Sequence, residues 1–186
     1  PAMIMDVQAS LGKEGDIVDW NYDVWSSRAS GRPRSDREGG SGLLASWHLE
    51  QPFRPMSSPR QEAPQLGSSR NADPLYRLPR KRIVNHLMPD GPLRTSSQRG
   101  LGAYANIFAI ESFMDELARA ADTDPVTFRL RHLADERGRA VIERVAEMAG
   151  WKPGREFPGS DRGAGLGFLR YKNNASYVAT VVELRV

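Results

Sequence analysis

The residues best suited to binding chemistry lie in segment 96–102, which reads Ser-Ser-Gln-Arg-Gly-Leu-Gly. Gly100 and Gly102 are one residue apart, and apolar residues with helical spacing follow directly. Glycine lets the backbone approach a ligand closely, and the start of a helix offers free N–H groups with a partial positive charge. The segment therefore predicts an anion cradle for phosphate or pyrophosphate, with Arg99 and the two serines as further donors. A tight turn is the alternative, because the third glycine and the later acid of a dinucleotide fingerprint are absent.

Other glycines and the histidines give weaker signals. The glycine-rich residues 163–168 open a predicted strand rather than a helix, which favours close packing over phosphate binding. His48, His86 and His132 lack the spacing of a zinc site. We therefore expect His86 and His132 to be hydrogen-bonded structural residues and predict no metal ligands.

The charged residues predict solvated surface more readily than a catalytic pair. Glu111, Asp115 and Glu116 fall on or near one face of a predicted helix. Asp115 and Arg119 are four residues apart, which favours an ion pair on its outer side. The arginine-rich stretches are too short and too mixed with acids to predict a nucleic-acid interface, so binding to nucleic acid is the weakest hypothesis.

Length and composition exclude several classes of protein. The chain has 186 residues, enough for one ordinary domain or two small ones, with a formal net charge of +3. It has no cysteine, so disulfides, thiolate metal sites and cysteine nucleophiles are excluded. No apolar run has the length of a membrane span and no signal peptide starts the chain, and we expect a cytoplasmic location, with the periplasm as the alternative. The chain does not begin with Met and ends inside a predicted strand, so we expect an internal segment of a longer protein.

Alternating apolar residues predict an antiparallel hairpin over residues 3–27, with its turn at residues 12–15. On the return strand, one face is predicted to carry Val18, Trp20, Tyr22 and Val24, and Ile17 falls on the other. Helical spacing then predicts three helices, the second starting at Asp124 as N-cap with proline next, and the third spanning about residues 135–149. Their predicted apolar positions are Ile107, Ile110, Phe113, Met114 and Leu117; Val126, Leu130 and Leu133; and Val141, Val145 and Met148.

Three further strands are predicted over residues 82–88, 164–172 and 175–186. The last is apolar on both faces, which is typical of a sheet covered on both sides. The predicted fold class is α+β: an antiparallel hairpin and further strands packed on a cluster of three helices, with a long extended arm. We divide the chain into a hairpin over 1–28, the arm over 29–80 and an α+β region over 81–186.

Residues 93–118, LRTSSQRGLGAYANIFAIESFMDELA, resemble the pterin-binding segment of the large subunit of the xanthine dehydrogenase/aldehyde oxidase family. The continuation DPVTFRLRHL and the segment 163–186 are similar to the same family. LLASWHL at 43–49 and SSRNADPLY at 68–76 resemble the isoquinoline 1-oxidoreductase beta-subunit type within it. The resemblance covers nearly the whole chain and is most specific over residues 93–133.

The resemblance implies a molybdenum hydroxylase, which hydroxylates an aldehyde or N-heterocycle with water-derived oxygen and passes electrons to Fe–S and often flavin partners. It implies that molybdopterin, or its cytosine dinucleotide form, contacts Gln98, Arg99, Gly100, Leu101 and Gly102, largely through backbone groups. The pterin would carry the chemistry while the protein binds and orients it. Because the other cofactor-binding segments are absent, we expect the isolated chain to lack activity and cofactor, and to self-associate through surface that its parent covers.

Two departures from the family pattern leave a second hypothesis open. Leu101 occupies a position where relatives often have an aromatic residue, and the chain has no Gly-Glu dipeptide, the context of the family's catalytic glutamate. The alternative function is a non-enzymatic scaffold or subunit-interaction module with a degenerate cofactor loop.

Overall fold

The computed structural model describes residues 2–27, 45, 48–52, 65, 67–88, 98–154 and 161–186. Within these ranges, two small sheets pack on three α-helices, which confirms the α+β prediction. The elements are β1 (Met3–Leu11), β2 (Ile17–Ser27), β3 (Lys81–Met88), α1 (Ala103–Ala120), α2 (Pro125–His132), α3 (Glu136–Met148), β4 (Arg162–Arg170) and β5 (Tyr177–Arg185). Short 3-10 helices lie at Gly67–Ser69 and Tyr171–Asn173.

The N-terminal hairpin forms as predicted, with β1 antiparallel to β2 and Val7 opposite Tyr22. One detail of the predicted alternation is wrong: Ile17 is buried and Val18 is only half-buried. The pairing shifts register between Ser10 and Leu11, so that Leu11 pairs with Ile17. A bulge of this kind places an extra residue in one strand and moves the following side chains to the other face.

The third strand of this sheet, β3, pairs with β2 in parallel, with Asp23 opposite Val84. The core side of β2 carries Trp20, Tyr22 and Val24, each fully buried. Trp20 packs edge-to-face on Phe113 of α1, with ring centroids 5.6 Å apart. The sheet therefore forms a rigid support under α1.

Helix α1 begins at Ala103, four residues before the first apolar position that the sequence indicated. Its buried stripe includes Ile110, Met114 and Leu117, as predicted. Asp124 caps α2 as predicted, because its Oδ1 accepts hydrogen bonds at 3.0 Å from the N–H groups of Val126 and of the next residue.

The predicted inward stripes of α2 and α3 need correction. On α2, Phe128 and Arg129 are completely buried while Leu130 is only partly buried. On α3, the buried side chains are Ile142 and Ala146, whereas Val141 and Val145 are half-buried and Met148 is 72% exposed. Helix α3 is therefore rotated from the predicted orientation by about one residue, roughly 100°.

The second sheet consists of β4 and β5, paired antiparallel with Leu166 opposite Val181. The prediction that β5 is covered on both faces is wrong for the described residues. Its inner face packs against the core through Tyr177 and its neighbours, but Val178, Val182 and Leu184 are about half exposed or more, at 48%, 48% and 64%.

Most of the predicted arm, including Trp47 and Phe53, lies outside the described residues. Its final part, residues 67–80, packs closely on the rest of the chain. Ala72 is 1% exposed and Tyr76 is 5% exposed. This part forms one side of the candidate site.

Candidate cofactor-binding site

The segment predicted to bind an anion forms a tight double turn at the start of α1. The N–H of Leu101 donates to the Gln98 carbonyl at 3.0 Å, and the N–H of Ala103 donates to the Gly100 carbonyl at 3.2 Å. Gly100 has φ +85° and Leu101 has φ +54°. The left-handed region is easy for glycine but uncommon for a branched aliphatic residue, and such strain concentrates at functional sites. Ser96 and Ser97 lie outside the described residues.

Gly102 needs its small size for packing within the chain. A Cβ built on Gly102 would lie 2.2 Å from the Ser68 carbonyl oxygen and 2.8 Å from that of Gly67. The Gly102 N–H also donates to the Gly67 carbonyl at 2.9 Å. The second glycine of the motif therefore fixes the turn against the end of the arm, and its N–H group faces the protein.

A buried amide holds the same contact from the other side. Asn106 is fully buried on α1, and its Nδ2 donates to the carbonyls of Ser68 at 2.8 Å and Arg70 at 2.9 Å. Its Oδ1 accepts from the Tyr22 hydroxyl at 2.8 Å. Sequence reasoning did not single out Asn106, although an asparagine within a helix is itself a signal, because asparagine favours caps and turns over helix interiors.

The outer surface of the turn carries donors and aromatic rings. Gln98 and Arg99 are exposed, and Gly100 is half-buried. Tyr104 is 71% exposed and Phe108 is 72% exposed, one helical turn apart on α1. A Cβ on Gly100 would lie 3.8 Å from the Tyr104 Cβ, so this ring begins directly beside the turn. Side-chain donors beside exposed rings suit a flat heteroaromatic ligand with an anionic group.

Glu111, predicted to be solvated, is instead buried in an ion-pair cluster. Its Oε2 lies 2.9 Å from Arg129 Nε and also accepts the Phe168 N–H at 2.9 Å, while its Oε1 accepts the Tyr76 hydroxyl at 2.8 Å. Burial raises the pKa of Glu111, and the positive charge of Arg129 opposes that shift. The cluster joins α1, α2, β4 and the arm, so its role is structural.

Two predictions about charged residues of α1 are thereby resolved. The ion-pair partner that the structure gives Asp115 is Arg129, at 2.6 Å, rather than the predicted Arg119. Arg129 was missed because its sequence neighbours give no sign that it is buried. A buried guanidinium needs carboxylates on other elements, and only the folded chain brings them together.

The arm also holds a strained turn between β4 and β5. Lys172 and Asn173 both have φ +56°. The Asn71 side chain accepts the Lys172 N–H at 2.9 Å and donates to the Arg170 carbonyl at 2.8 Å and to Asn173 Oδ1 at 3.0 Å. Asn71 therefore fixes the Arg-Tyr-Lys-Asn-Asn segment that carries part of the family resemblance.

The histidines in the described sheets and helices have structural partners, as predicted. His132 Nε2 accepts the Ile17 N–H at 3.0 Å, and its Nδ1 lies 2.8 Å from the Phe128 carbonyl. This arrangement requires the neutral ring with its proton on Nδ1. His86 stacks on Trp25 with centroids 4.6 Å apart and lies 2.6 Å from Asp23.

The described part of the chain contains neither a metal cluster nor a membrane-crossing helix. No group of three or more His, Cys, Asp or Glu side chains there has the arrangement of a metal site. Likewise, none of the helices in the described ranges has the length and apolar character needed to cross a membrane.

Comparison with known proteins gives a consistent family. Residues 56–133 match the sequence profile of the family described as the molybdopterin cofactor-binding domain. The chain is 29% identical to a nicotinate dehydrogenase subunit of Pseudomonas putida over 198 aligned residues, which cover 100% of the chain and 15% of that protein. It is 39% identical to the beta subunit of isoquinoline 1-oxidoreductase from Brevundimonas diminuta over 110 residues, 59% of the chain and 14% of that protein.

Solved structures with the same fold include two oxidoreductases. The aldehyde oxidoreductase of Desulfovibrio gigas superposes with a TM-score of 0.54 at 16% identity, covering 89% of this chain and 17% of that one. The quinoline 2-oxidoreductase of Pseudomonas putida 86 gives 0.55 at 12% identity, covering 90% and 21%. At these identities the likeness concerns the fold.

The fold and the matched segment thus define a molybdopterin-binding class of protein. The chain belongs to the large-subunit family of the xanthine dehydrogenase/aldehyde oxidase type, with relatives of the isoquinoline 1-oxidoreductase beta-subunit type, which confirms the resemblance. The chain spans about 15% of the length of the curated relatives that it matches.

Proposed function

We propose that this chain forms one wall of the molybdopterin site in the large subunit of a molybdenum hydroxylase. The observation that supports the proposal is the strained turn at Gly100 and Leu101, which lies inside a chain whose residues 56–133 match a molybdopterin-binding family. The proposed contact residues are Gln98, Arg99, Gly100, Leu101 and Gly102.

The residues of the turn fit such a ligand, but in a way that differs from the simple backbone cradle. The N–H groups of Leu101 and Gly102 donate to carbonyls of the chain itself. We therefore assign binding to the exposed side chains of Gln98 and Arg99, which can donate to pterin oxygens or to its phosphate. Leu101 and Gly102 set the shape of the turn from within.

The bound cofactor would supply the hydroxylation of an aldehyde or N-heterocycle with water-derived oxygen. This chain would bind and orient it: Arg99 holds an anionic group, and Asn106 and Ser68 keep the turn in place beneath it. Both the molybdopterin and the cytosine dinucleotide forms carry a phosphate that Arg99 can bind. In the complete enzyme we propose that the partners are the rest of the large subunit and Fe–S or flavin-containing subunits.

The test measures cofactor content in the full-length subunit that carries this segment. Arg99→Gln removes the proposed anion donor, and Arg119→Gln, near the other end of α1, is the matched charge control. We expect Arg99→Gln to lower the molybdenum and pterin content of the purified subunit roughly tenfold, as loss of one charge-assisted contact would. Unchanged content in Arg99→Gln would contradict cofactor binding by the turn and favour the scaffold hypothesis.

The isolated 186-residue chain provides a separate test. Because only one wall of the site is present, we expect metal analysis to find no stoichiometric molybdenum after purification. About one molybdenum per chain would show that these residues suffice, and would contradict the proposal that several segments share the cofactor.

A further inference from the structure

Arg70 is a buried cation whose counter-ion is missing from the described residues. It is 9% exposed, its Nε donates to the Gln65 carbonyl at 3.0 Å, and its Nη1 donates to the Tyr171 hydroxyl at 2.6 Å. Both partners are neutral, and no carboxylate in the described ranges forms an ion pair with Arg70. The other buried arginine, Arg129, binds the carboxylates of Glu111 and Asp115. A guanidinium withdrawn from water without an anion is costly, so this charge calls for a partner.

A second cation lies beside the same aromatic ring. The Arg70 Cζ lies 5.3 Å from the centroid of the Tyr171 ring, and the Lys172 Nζ lies 5.7 Å from it. Within the described residues, Lys172 also has no carboxylate partner. Two positive charges are therefore concentrated around one tyrosine, where repulsion between them disfavours the arrangement unless an anion reduces it.

The backbone holds Lys172 in this place at a cost. Its φ of +56° belongs to a region that lysine rarely adopts, and the Asn71 side chain anchors its N–H. Asn71 directly follows Arg70 in the sequence, so the same short segment positions both cations. Strain that is kept by surrounding contacts supports a binding role over a simple surface turn.

We propose that Arg70, Tyr171 and Lys172 form a binding site for a phosphate group. The guanidinium and the ammonium neutralise the anion, and the Tyr171 hydroxyl completes the donor set. This corner is distinct from the turn at residues 98–102, and the proposal does not depend on cofactor binding there. The ligand class is a phosphate ester or pyrophosphate, because two cations and a hydroxyl match several anionic oxygens better than one carboxylate.

The experiment titrates the 186-residue chain with inorganic pyrophosphate by calorimetry at constant ionic strength. The informative variant is Lys172→Asn, because asparagine tolerates positive φ and the substitution removes only the charge. Lys152→Asn, at an exposed lysine, is the matched control. We expect Lys172→Asn to weaken binding about tenfold and Lys152→Asn to change it less than about twofold. Arg70→Gln, checked for folding by circular dichroism, is expected to abolish binding.

Three results would overturn the proposal. The first is no binding of pyrophosphate to the unmodified chain up to about 10 mM. The second is equal weakening by Lys172→Asn and Lys152→Asn, which would indicate nonspecific attraction to positive charge. The third is loss of binding in Arg99→Gln together with full binding in Lys172→Asn, which would place the anion at the turn and support the proposed function instead.

Discussion

The Cα of Gly102 lies against the main-chain carbonyl of Ser68, so closely that a Cβ on Gly102 would be 2.2 Å from that oxygen. This contact joins the candidate cofactor turn to the arm. The glycine motif therefore serves two purposes: Gly100 permits the left-handed backbone of the turn, and Gly102 permits the turn to dock.

Substituting Gly102 tests that contact. Gly102→Ala places a methyl group inside the Ser68 carbonyl, and because both neighbours are backbone, the arm must shift. We expect the free energy of unfolding to fall by about 2–4 kcal/mol in urea denaturation. Gly163→Ala is the control, since a Cβ there meets nothing within 4 Å, and it should change stability by less than about 0.5 kcal/mol. Equal effects in the two variants would contradict the docking role.

The buried amide of Asn106 gives a second prediction. Asn106→Ala leaves two carbonyls and the Tyr22 hydroxyl without their buried partner, so we expect a loss of about 2–4 kcal/mol in the free energy of unfolding. Tyr22→Phe removes only one of these hydrogen bonds and should cost about 1–2 kcal/mol. Asn174→Ala, at an exposed asparagine, is the control. A stability of Asn106→Ala equal to that of the control would show that the amide does not hold the arm.

The ion pair of Glu111 and Arg129 gives a third prediction. Removing one partner leaves a buried charge uncompensated, so Glu111→Gln or Arg129→Met alone should lower the free energy of unfolding by about 3–5 kcal/mol. The double variant should be less destabilised than the sum of the two single changes, because neither buried charge is then left without its partner. Strict additivity in denaturant unfolding would show that the two side chains do not act as a pair.

His132 predicts a specific dependence of stability on pH. Burial lowers its pKa below the ordinary value of 6.5, and the neutral ring accepts the Ile17 N–H. Between the folded and unfolded pKa values the unfolded chain binds more protons than the folded chain. Stability from this group is therefore complete above pH 6.5 and decreases as the pH falls through 6.5 to the folded pKa, with a slope of up to about 1.4 kcal/mol per pH unit.

Urea denaturation at constant ionic strength between about pH 8 and pH 5 measures this slope, over a range that brackets the ordinary pKa. We expect His132→Gln to lose the His132 contribution in this window, and His48→Gln, at an exposed histidine, to keep it. An unchanged slope in His132→Gln would assign the pH dependence to other groups.

Local patterns predicted much of the fold. The hairpin follows from strict alternation, α2 starts where Asp124 and its proline indicate, and α1 buries Ile110, Met114 and Leu117 as their spacing predicts. These features depend on neighbours a few residues away. The prediction failed where a bulge buried Ile17, and where the orientation of α3 depended on the elements packed against it.

The sequence by itself determined the tight turn before α1 and, through its resemblance, the family to which the chain belongs. Only the tertiary structure decided that Gly102 docks on Ser68, that Glu111 is buried against Arg129, and that the Leu101 and Gly102 N–H groups face carbonyls of the chain. The physical reason is distance along the chain. A turn is fixed by the preferences of adjacent residues, whereas a contact between residues 18 or 34 positions apart exists only after packing has brought separate elements together.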